Sequence, residues 1–267
     1  YAVPLFSRYI LLFLALIMQV DAYGQLSVKT LKAERLNGQI ILDGKLDEPS
    51  WNLAEKATGF IQYSPNPGDA SRQNTQVSIA YDNDAIYVGA IMYDVTDSVL
   101  KQLSPRDDYS DYSTDAFGVF FDTYNDYQNA TEFAVTAAGV QIDGIIKFSN
   151  RNYAWNAAWI SKVSRNDKGW CAELKIPYSA IRFSKKAEQL WNVNFYRVIR
   201  RHRELSYWNL VSPTIANNLS QTGRLTGIHD IKAPLRLALL PYVSAYAENY
   251  NGANAQTLNG GLDIKYG

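Results

Sequence analysis

Alternating apolar and polar residues along the chain predict short β-strands. In residues 73–81, Val77 and Ile79 fall on the same side of an extended segment, and this two-residue period is typical of a half-buried strand. The apolar run resumes over residues 85–93, after Asp82, Asn83 and Asp84. Because Asp and Asn favour tight turns, the simplest interpretation of this region is a β-hairpin.

Similar runs, separated by Gly, Pro, Asn and Asp, predict further strands at residues 116–122, 132–137, 140–148, 155–163, 170–176, 190–199, 206–211 and 223–229. Two short helical segments also fit the pattern. The first begins at Asp47, which can cap a helix with Pro49 in its first turn. The second covers residues 178–181. Many short strands separated by turn residues are typical of sandwiches and barrels. We therefore predict an all-β fold, an immunoglobulin-like antiparallel β-sandwich, over residues 25–232.

The pattern changes after Pro234. Residues 235–250 form one long strand-like stretch, and residues 262–266 alternate strictly after a loop rich in Asn and Gly. Two long strands joined by a polar loop predict the start of a truncated outer-membrane β-barrel over residues 233–267. A hairpin from a soluble sheet would give the same pattern, so this alternative stays open.

The first 24 residues have the pattern of a secretory signal peptide. Arg8 precedes an apolar run over residues 9–20, and the small residues Ala22 and Gly24 stand before a cleavage position ahead of Gln25. The rival interpretation is a membrane anchor. A run of about twelve apolar residues is short of the roughly twenty that a spanning helix needs. The segment therefore predicts export.

Charge and composition narrow the function classes. The chain has 26 Lys and Arg residues and 26 Asp and Glu residues, so no basic surplus is available to neutralise a phosphate backbone, and nucleic acid is not an expected partner. Cys171 is the only cysteine; it excludes a disulfide within the chain and is interpreted as a strand thiol without chemistry. Neither His202 nor His229 stands in a recognisable nucleophile motif. No catalytic residue is assigned.

Several ordered motifs resemble family 9 carbohydrate-binding modules. Residues 41–51 (ILDGKLDEPSW) are similar to the segment that leads from the first strand of that family into a short helix. Residues 77–82, 86–90 and 115–122 resemble its following strands in the same order. Residues 106–108, 138–141, 176–177, 182–183 and 234–242 are similar to a Bacteroidota group of outer-membrane proteins in which such a module precedes a β-barrel of unknown function. The resemblance covers residues 38–267.

This resemblance implies a binding site built on sugar stacking. In xylanase-linked members of the family, two Trp rings from two loops sandwich a terminal sugar. The matching loops here contain Tyr109 and Tyr112 in the first and no aromatic residue in the second, residues 213–222. Trp155 and Trp159 could compensate, although large aromatic residues usually fill interiors. The candidate carbohydrate-binding residues are Arg106, Tyr109, Tyr112, Asp115, Trp155 and Trp159.

The loop before residue 116 is the most densely charged part of the chain. Asp107, Asp108 and Asp111 could bind calcium, which prefers carboxylate oxygens. Two alternatives remain: a hydrogen-bonding rim for a sugar, and a solvated loop tied by Arg–Asp pairs.

These features predict a noncatalytic module that binds poly- or oligosaccharide at the cell surface, outer membrane or periplasm and supports glycan catabolism. One alternative is a periplasmic accessory or plug domain of an outer-membrane barrel whose sugar site has been lost. A further alternative is part of a glycoside hydrolase. Such an enzyme needs two carboxylates about 5 to 9.5 Å apart around the sugar, and no pair of acids stands out in the sequence.

Overall fold

The computed structural model describes residues 28–94, 99–108, 113–234, 237–250 and 253–266. The predicted signal segment lies outside these residues. The described part of the chain is built from strands β1 (Thr30–Lys32), β2 (Glu34–Arg35), β3 (Ile61–Ser64), β4 (Thr75–Tyr81), β5 (Ala85–Tyr93), β6 (Ala116–Asp122), β7 (Asn129–Thr136), β8 (Gln141–Lys147), β9 (Asn150–Asn152), β10 (Ile160–Asn166), β11 (Gly169–Pro177), β12 (Glu188–Ile199), β13 (Glu204–Tyr207), β14 (Gly223–His229), β15 (Leu237–Tyr250) and β16 (Ala253–Tyr266).

Two sheets form the main body. In the larger sheet the strand order is β1-β14-β12-β6-β7-β8-β9, with β13 beside β12 and β3 beside β13. In the smaller sheet the order is β10-β11-β5-β4-β2. Neighbouring strands are antiparallel except for two short parallel pairs, β1 with β14 and β2 with β4. The predicted all-β sandwich is confirmed.

The core lies between the inner faces of the two sheets. Trp170, Ala172, Leu174 and Ile176 alternate along β11 and are fully buried there, as their two-residue spacing predicts. They pack in one cluster with apolar residues of the larger sheet, such as Trp191. Removing this apolar surface from water is the main stabilising contribution to a fold of this kind. Cys171 points to the other face of β11, and burial raises the pKa of its thiol, consistent with an unreactive role.

The motif at residues 41–51 docks on the smaller sheet through one buried carboxylate. Glu173 Oε2 accepts hydrogen bonds from the backbone N–H of Asp43 at 3.0 Å and of Gly44 at 2.8 Å. Glu173 Oε1 accepts one from Trp51 Nε1 at 3.0 Å. Burial raises the pKa of Glu173 to about 7, although these N–H donors favour the carboxylate. The motif is therefore explained by attachment of the first loop and helix to the sandwich.

Gly44 is required in this motif by its surroundings. Its φ of +87° is one that L side chains rarely adopt, and an added Cβ would lie 2.8 Å from the backbone nitrogen of Ser164. Only glycine lets the loop approach β10 this closely without strain.

The short helical segments are only partly as predicted. Helix α1 (Pro49–Leu53) is confirmed, with Pro in its first turn. Residues 178–181 form a turn instead, in which the Ala180 N–H bonds to the Pro177 carbonyl at 2.8 Å. Two 3-10 helices, Arg200–His202 and Asn218–Gln221, lie near β13 and β14 in the chain. None of the helices in the described residues is long and apolar enough to cross a membrane.

The predicted strand at residues 155–163 is wrong in its first half. The strand β10 begins only at Ile160, and the preceding residues connect the edge of the larger sheet to the smaller one. Trp155 and Trp159 have the spacing of a strand, but both lie in this connection, where the backbone does not pair with a neighbouring strand. The alternation reflects which side chains reach the core.

Strands β15 and β16 form a separate antiparallel pair, so two long strands are present as predicted. However, β16 begins at Ala253 and includes most of the stretch predicted as a loop. Pro241 lies opposite Leu262, and Ala245 lies opposite Leu258. Because side chains alternate between faces, these residues share one face with Val243. Val243, Leu258 and Leu262 are all more than half exposed. This apolar face is uncovered within the described residues.

Candidate functional site

Arg106 lies in the predicted binding loop, and its guanidinium forms several hydrogen bonds and ion pairs with other residues of the chain. Nη1 donates to Gln141 Oε1 at 2.8 Å. Nη2 donates to the carbonyl oxygen of Ala157 at 3.0 Å and to Asp143 Oδ1. Nε lies 3.4 Å from Asp107 Oδ2. Arg106 therefore holds its loop against β8 and against the connection that precedes β10.

Asp143 is the centre of this arrangement and was not predicted from the sequence. Its side chain is fully buried. Oδ1 accepts a hydrogen bond from Trp159 Nε1 at 3.0 Å, and Oδ2 accepts one from the Ala157 N–H at 2.6 Å. Its own backbone N–H donates to Asp107 Oδ1 at 2.9 Å. These contacts give the Arg106–Asp143 pair a structural role. Of the three interpretations of the charged loop, they favour the one in which Arg–Asp pairs hold the loop in place.

Two of the predicted sugar-binding residues, Asp115 and Trp159, are buried, and a third, Trp155, is half-buried. Asp115 is fully buried, its Oδ1 accepts the Arg200 N–H at 2.9 Å, and burial raises its pKa. Trp159 is only 6% exposed, with its ring centroid 5.4 Å from that of Phe133. Trp155 packs edge-on against the same Phe133 ring at 6.1 Å and is half-buried. A sugar can reach Trp155 but not the ring faces of Trp159.

Tyr109, Asp111 and Tyr112 lie outside the described residues, so their assignment stays a prediction. The calcium prediction depends on Asp111 together with Asp107 and Asp108. Both carboxylate oxygens of Asp107 are already engaged, by the Asp143 N–H and by Arg106. Among the described residues, no group of three or more His, Cys, Asp or Glu side chains could hold a metal ion.

A second group of polar and aromatic residues lies on the outer face of the larger sheet. We call it the outer-face cluster: Tyr63, Glu132, Arg151, Tyr153 and Tyr207. Tyr63 and Tyr153 are half-buried and pack against the apolar residues of this face, and Tyr207 is buried among them. The Tyr63 and Tyr207 rings meet edge to face at 5.8 Å. Aromatic and charged groups that are far apart in the chain therefore converge on one surface.

The charged pair in this cluster is held tightly. Glu132 Oε2 accepts a hydrogen bond from Arg151 Nε at 2.9 Å. Burial raises the pKa of Tyr207, although the charge of Arg151 acts to lower it. Burial by itself lowers the pKa of the Arg151 guanidinium, but the Glu132 carboxylate and the nearby tyrosines Tyr207, Tyr196 and Tyr153 together raise it. The Arg151 side chain is 29% exposed and that of Glu132 is not exposed at all. A ligand would meet Arg151 first.

Small residues make room for these long side chains. A Cβ on Gly118 would lie 2.3 Å from Tyr196 Cζ, and a Cβ on Gly144 would lie 3.0 Å from Tyr153 Cδ1. Gly144 is the cross-strand partner of Glu132. Tyrosine rings can therefore lie flat over the sheet beside the ion pair. The positions of the Tyr196 and Tyr153 rings on this face therefore require glycine at residues 118 and 144.

The sequence does not predict this cluster, because no short stretch of the chain contains a pattern that identifies it. Glu132 interrupts the apolar run of β7 between Thr131 and Phe133, and a charged residue in a strand is usually read as solvent-facing. Its burial depends on Arg151, on a strand two places away in the sheet.

The described fold is that of an all-β sandwich domain. A family model described as "Carbohydrate family 9 binding domain-like" matches residues 41–199. The chain belongs to this family. A second model, described as "Domain of unknown function (DUF5916)", matches residues 233–267. A comparison with curated proteins gives no match.

Solved structures share the fold. A family 9 carbohydrate-binding module from Caldicellulosiruptor kristjanssonii in complex with cellotriose is 18% identical, with a TM-score of 0.55, covering 74% of this chain and 93% of the module. A structure of such a module from the same organism with glucose is 17% identical, with a TM-score of 0.55, covering 77% and 100%. A candidate carbohydrate-binding protein from Bacteroides uniformis is 16% identical, with a TM-score of 0.56, covering 75% and 99%.

Proposed function

We propose that this chain is a noncatalytic carbohydrate-binding module and that it holds an oligosaccharide or polysaccharide chain on the outer-face cluster. The observation that carries the proposal is the convergence of half-buried tyrosine rings with a partly exposed arginine. A pyranose presents an apolar C–H face that can rest on an aromatic ring, while its hydroxyls need polar partners to replace water. Family membership and the sugar complexes of similar folds support the same function.

We expect Tyr153→Ala to weaken sugar binding by about 10-fold or more, because central aromatic side chains dominate many binding sites. Isothermal titration with cellotriose, xylo-oligosaccharides and host glycans measures the change. Tyr124→Ala is the matched control, since Tyr124 is 54% exposed on the turn after β6 and lies outside the cluster. Equal affinities for the two variants and the wild type would place the site elsewhere, with Arg106, Trp155 and the loop of Tyr109 and Tyr112 as the next region to test.

A second candidate function is an accessory domain that has lost its sugar site. The engagement of Arg106 by Asp143 and the burial of Asp115 and Trp159 favour it. It predicts no heat of binding for any glycan in the same titrations, so the two functions are separated by one experiment.

We also propose that the protein is exported and acts at the outer membrane, cell surface or periplasm in glycan breakdown. Support comes from the signal-like pattern of residues 1–24 and from the apolar face of β15 and β16, which fits the start of a membrane barrel. We expect cell fractionation to place the full-length protein in the outer membrane with Gln25 as its first residue, as measured by mass spectrometry. Recovery from the cytoplasm with residues 1–24 intact would refute this location.

A further inference from the structure

Glu132 is a buried carboxylate with one unused oxygen. Its Oε2 is bonded to Arg151, whereas Oε1 is buried and has no hydrogen-bond donor within the described residues. A carboxylate oxygen that is removed from water without a donor costs free energy. The oxygen lies on the outer face, because the neighbouring Phe133 points into the core between the sheets. A ligand hydroxyl is a donor that would satisfy it.

Arg151 supplies the complementary half of such a site. An arginine side chain has five N–H donors. Arg151 uses its Nε–H in the bond to Glu132, and its side chain is 29% exposed, so its other N–H groups can donate to a ligand. Glu132 fixes the orientation of Arg151 through a charge-assisted hydrogen bond. An acceptor and several donors are therefore held side by side.

We infer that Glu132 and Arg151 bind two neighbouring hydroxyls of one neutral pyranose ring. One hydroxyl donates to Glu132 Oε1 and the adjacent hydroxyl accepts from Arg151, while Tyr153 offers its ring to the sugar. This inference rests on the proposed function and names its sugar class. An acidic sugar fits poorly, because Glu132 already neutralises Arg151 and repels a second carboxylate. The sugar approaches from the side of Arg151, which is the exposed member of the pair.

The test compares wild type, Glu132→Gln and Arg151→Lys by isothermal titration with cellotriose and with a trimer of galacturonic acid. We expect wild type to prefer cellotriose, and each variant to bind it about 10-fold or more weakly, since hydrogen bonds to charged groups are the strong ones. Affinity of either folded variant within about twofold of wild type, or tighter binding of the acidic trimer, would overturn the inference.

Glu188→Gln and Arg224→Lys are the matched controls, because both residues are exposed on other strands of the same sheet. Thermal unfolding of each variant shows whether it is folded. A second measurement separates direct binding from a structural effect: glucose is compared with its 2-deoxy and 3-deoxy forms. If Glu132 binds one of these hydroxyls, the effects of Glu132→Gln and of removing that hydroxyl are not additive. Additive effects with both deoxy sugars count against the inference.

The outcome also distinguishes the two levels of the proposal. If wild type binds no sugar in the whole panel, the proposed function fails and the inference fails with it. If wild type binds cellotriose but the folded Glu132→Gln and Arg151→Lys proteins bind equally well, only the inference fails.

Discussion

Replacing Trp51 by alanine is expected to lower the free energy of unfolding by about 3 to 5 kcal/mol, the usual cost of truncating a buried tryptophan. The Trp51 ring is 1% exposed and lies over Gly89, where an added Cβ would be 3.0 Å from the ring. The change opens a cavity at this contact. It also removes the N–H donor from Glu173 Oε1, so a buried carboxylate loses one of its three partners.

Urea denaturation followed by tryptophan fluorescence and circular dichroism measures this loss. Leu53→Ala is the control on the same helix, because Leu53 is 67% exposed, and it should change stability by about 0.5 kcal/mol or less. A Trp51→Ala protein as stable as Leu53→Ala would show that residues 41–51 are not a structural anchor of the sandwich.

Replacing Asp143 by alanine is expected to cost about 2 to 5 kcal/mol, because two N–H donors lose their acceptor and each buried donor left unsatisfied costs about 1 to 3 kcal/mol. The variant leaves the Trp159 Nε1–H and the Ala157 N–H without their acceptor. It also leaves the guanidinium of Arg106 without its carboxylate partner on β8. The loss of stability should be greatest in the connection before β10, because Asp143 attaches this segment to β8.

Chemical denaturation measures the global effect, and amide hydrogen exchange at residues 155–159 measures the local one. Asp167→Ala is the control, since Asp167 is exposed in the turn between β10 and β11. Unchanged exchange at residues 155–159 would contradict the structural role of Asp143. Sugar affinity that falls in Asp143→Ala while stability is kept would return Arg106 and Trp155 to the binding site.

Much of the fold follows from the local pattern of the chain. The alternation in residues 73–81 and 170–176 identifies strands β4 and β11 because the two-residue period of a strand sends every second side chain to the core. The very short strands β1, β2 and β3 escape detection, since two to four residues are too few to show a period. Their positions are set by pairing with distant strands, for example β1 with β14.

The binding residues could be predicted only in part. The sequence predicts that Trp and Tyr near residues 106–115 and 155–159 could contact a sugar, because residue type and position in a loop can be inferred from the sequence. The burial of each side chain cannot be inferred in the same way. Trp159 faces the core because Asp143 holds its indole nitrogen there, and Asp143 lies on a different element of the chain.

The sequence by itself determined the all-β character, the strand rhythm and the motif at residues 41–51, because each depends on residues close together in the chain. Only the tertiary structure decided which polar groups share a surface. Glu132 and Arg151 meet across β8 because the larger sheet places β7 and β9 on either side of it. Strand order is a long-range property, and side chains that meet across several strands have no local sequence signature.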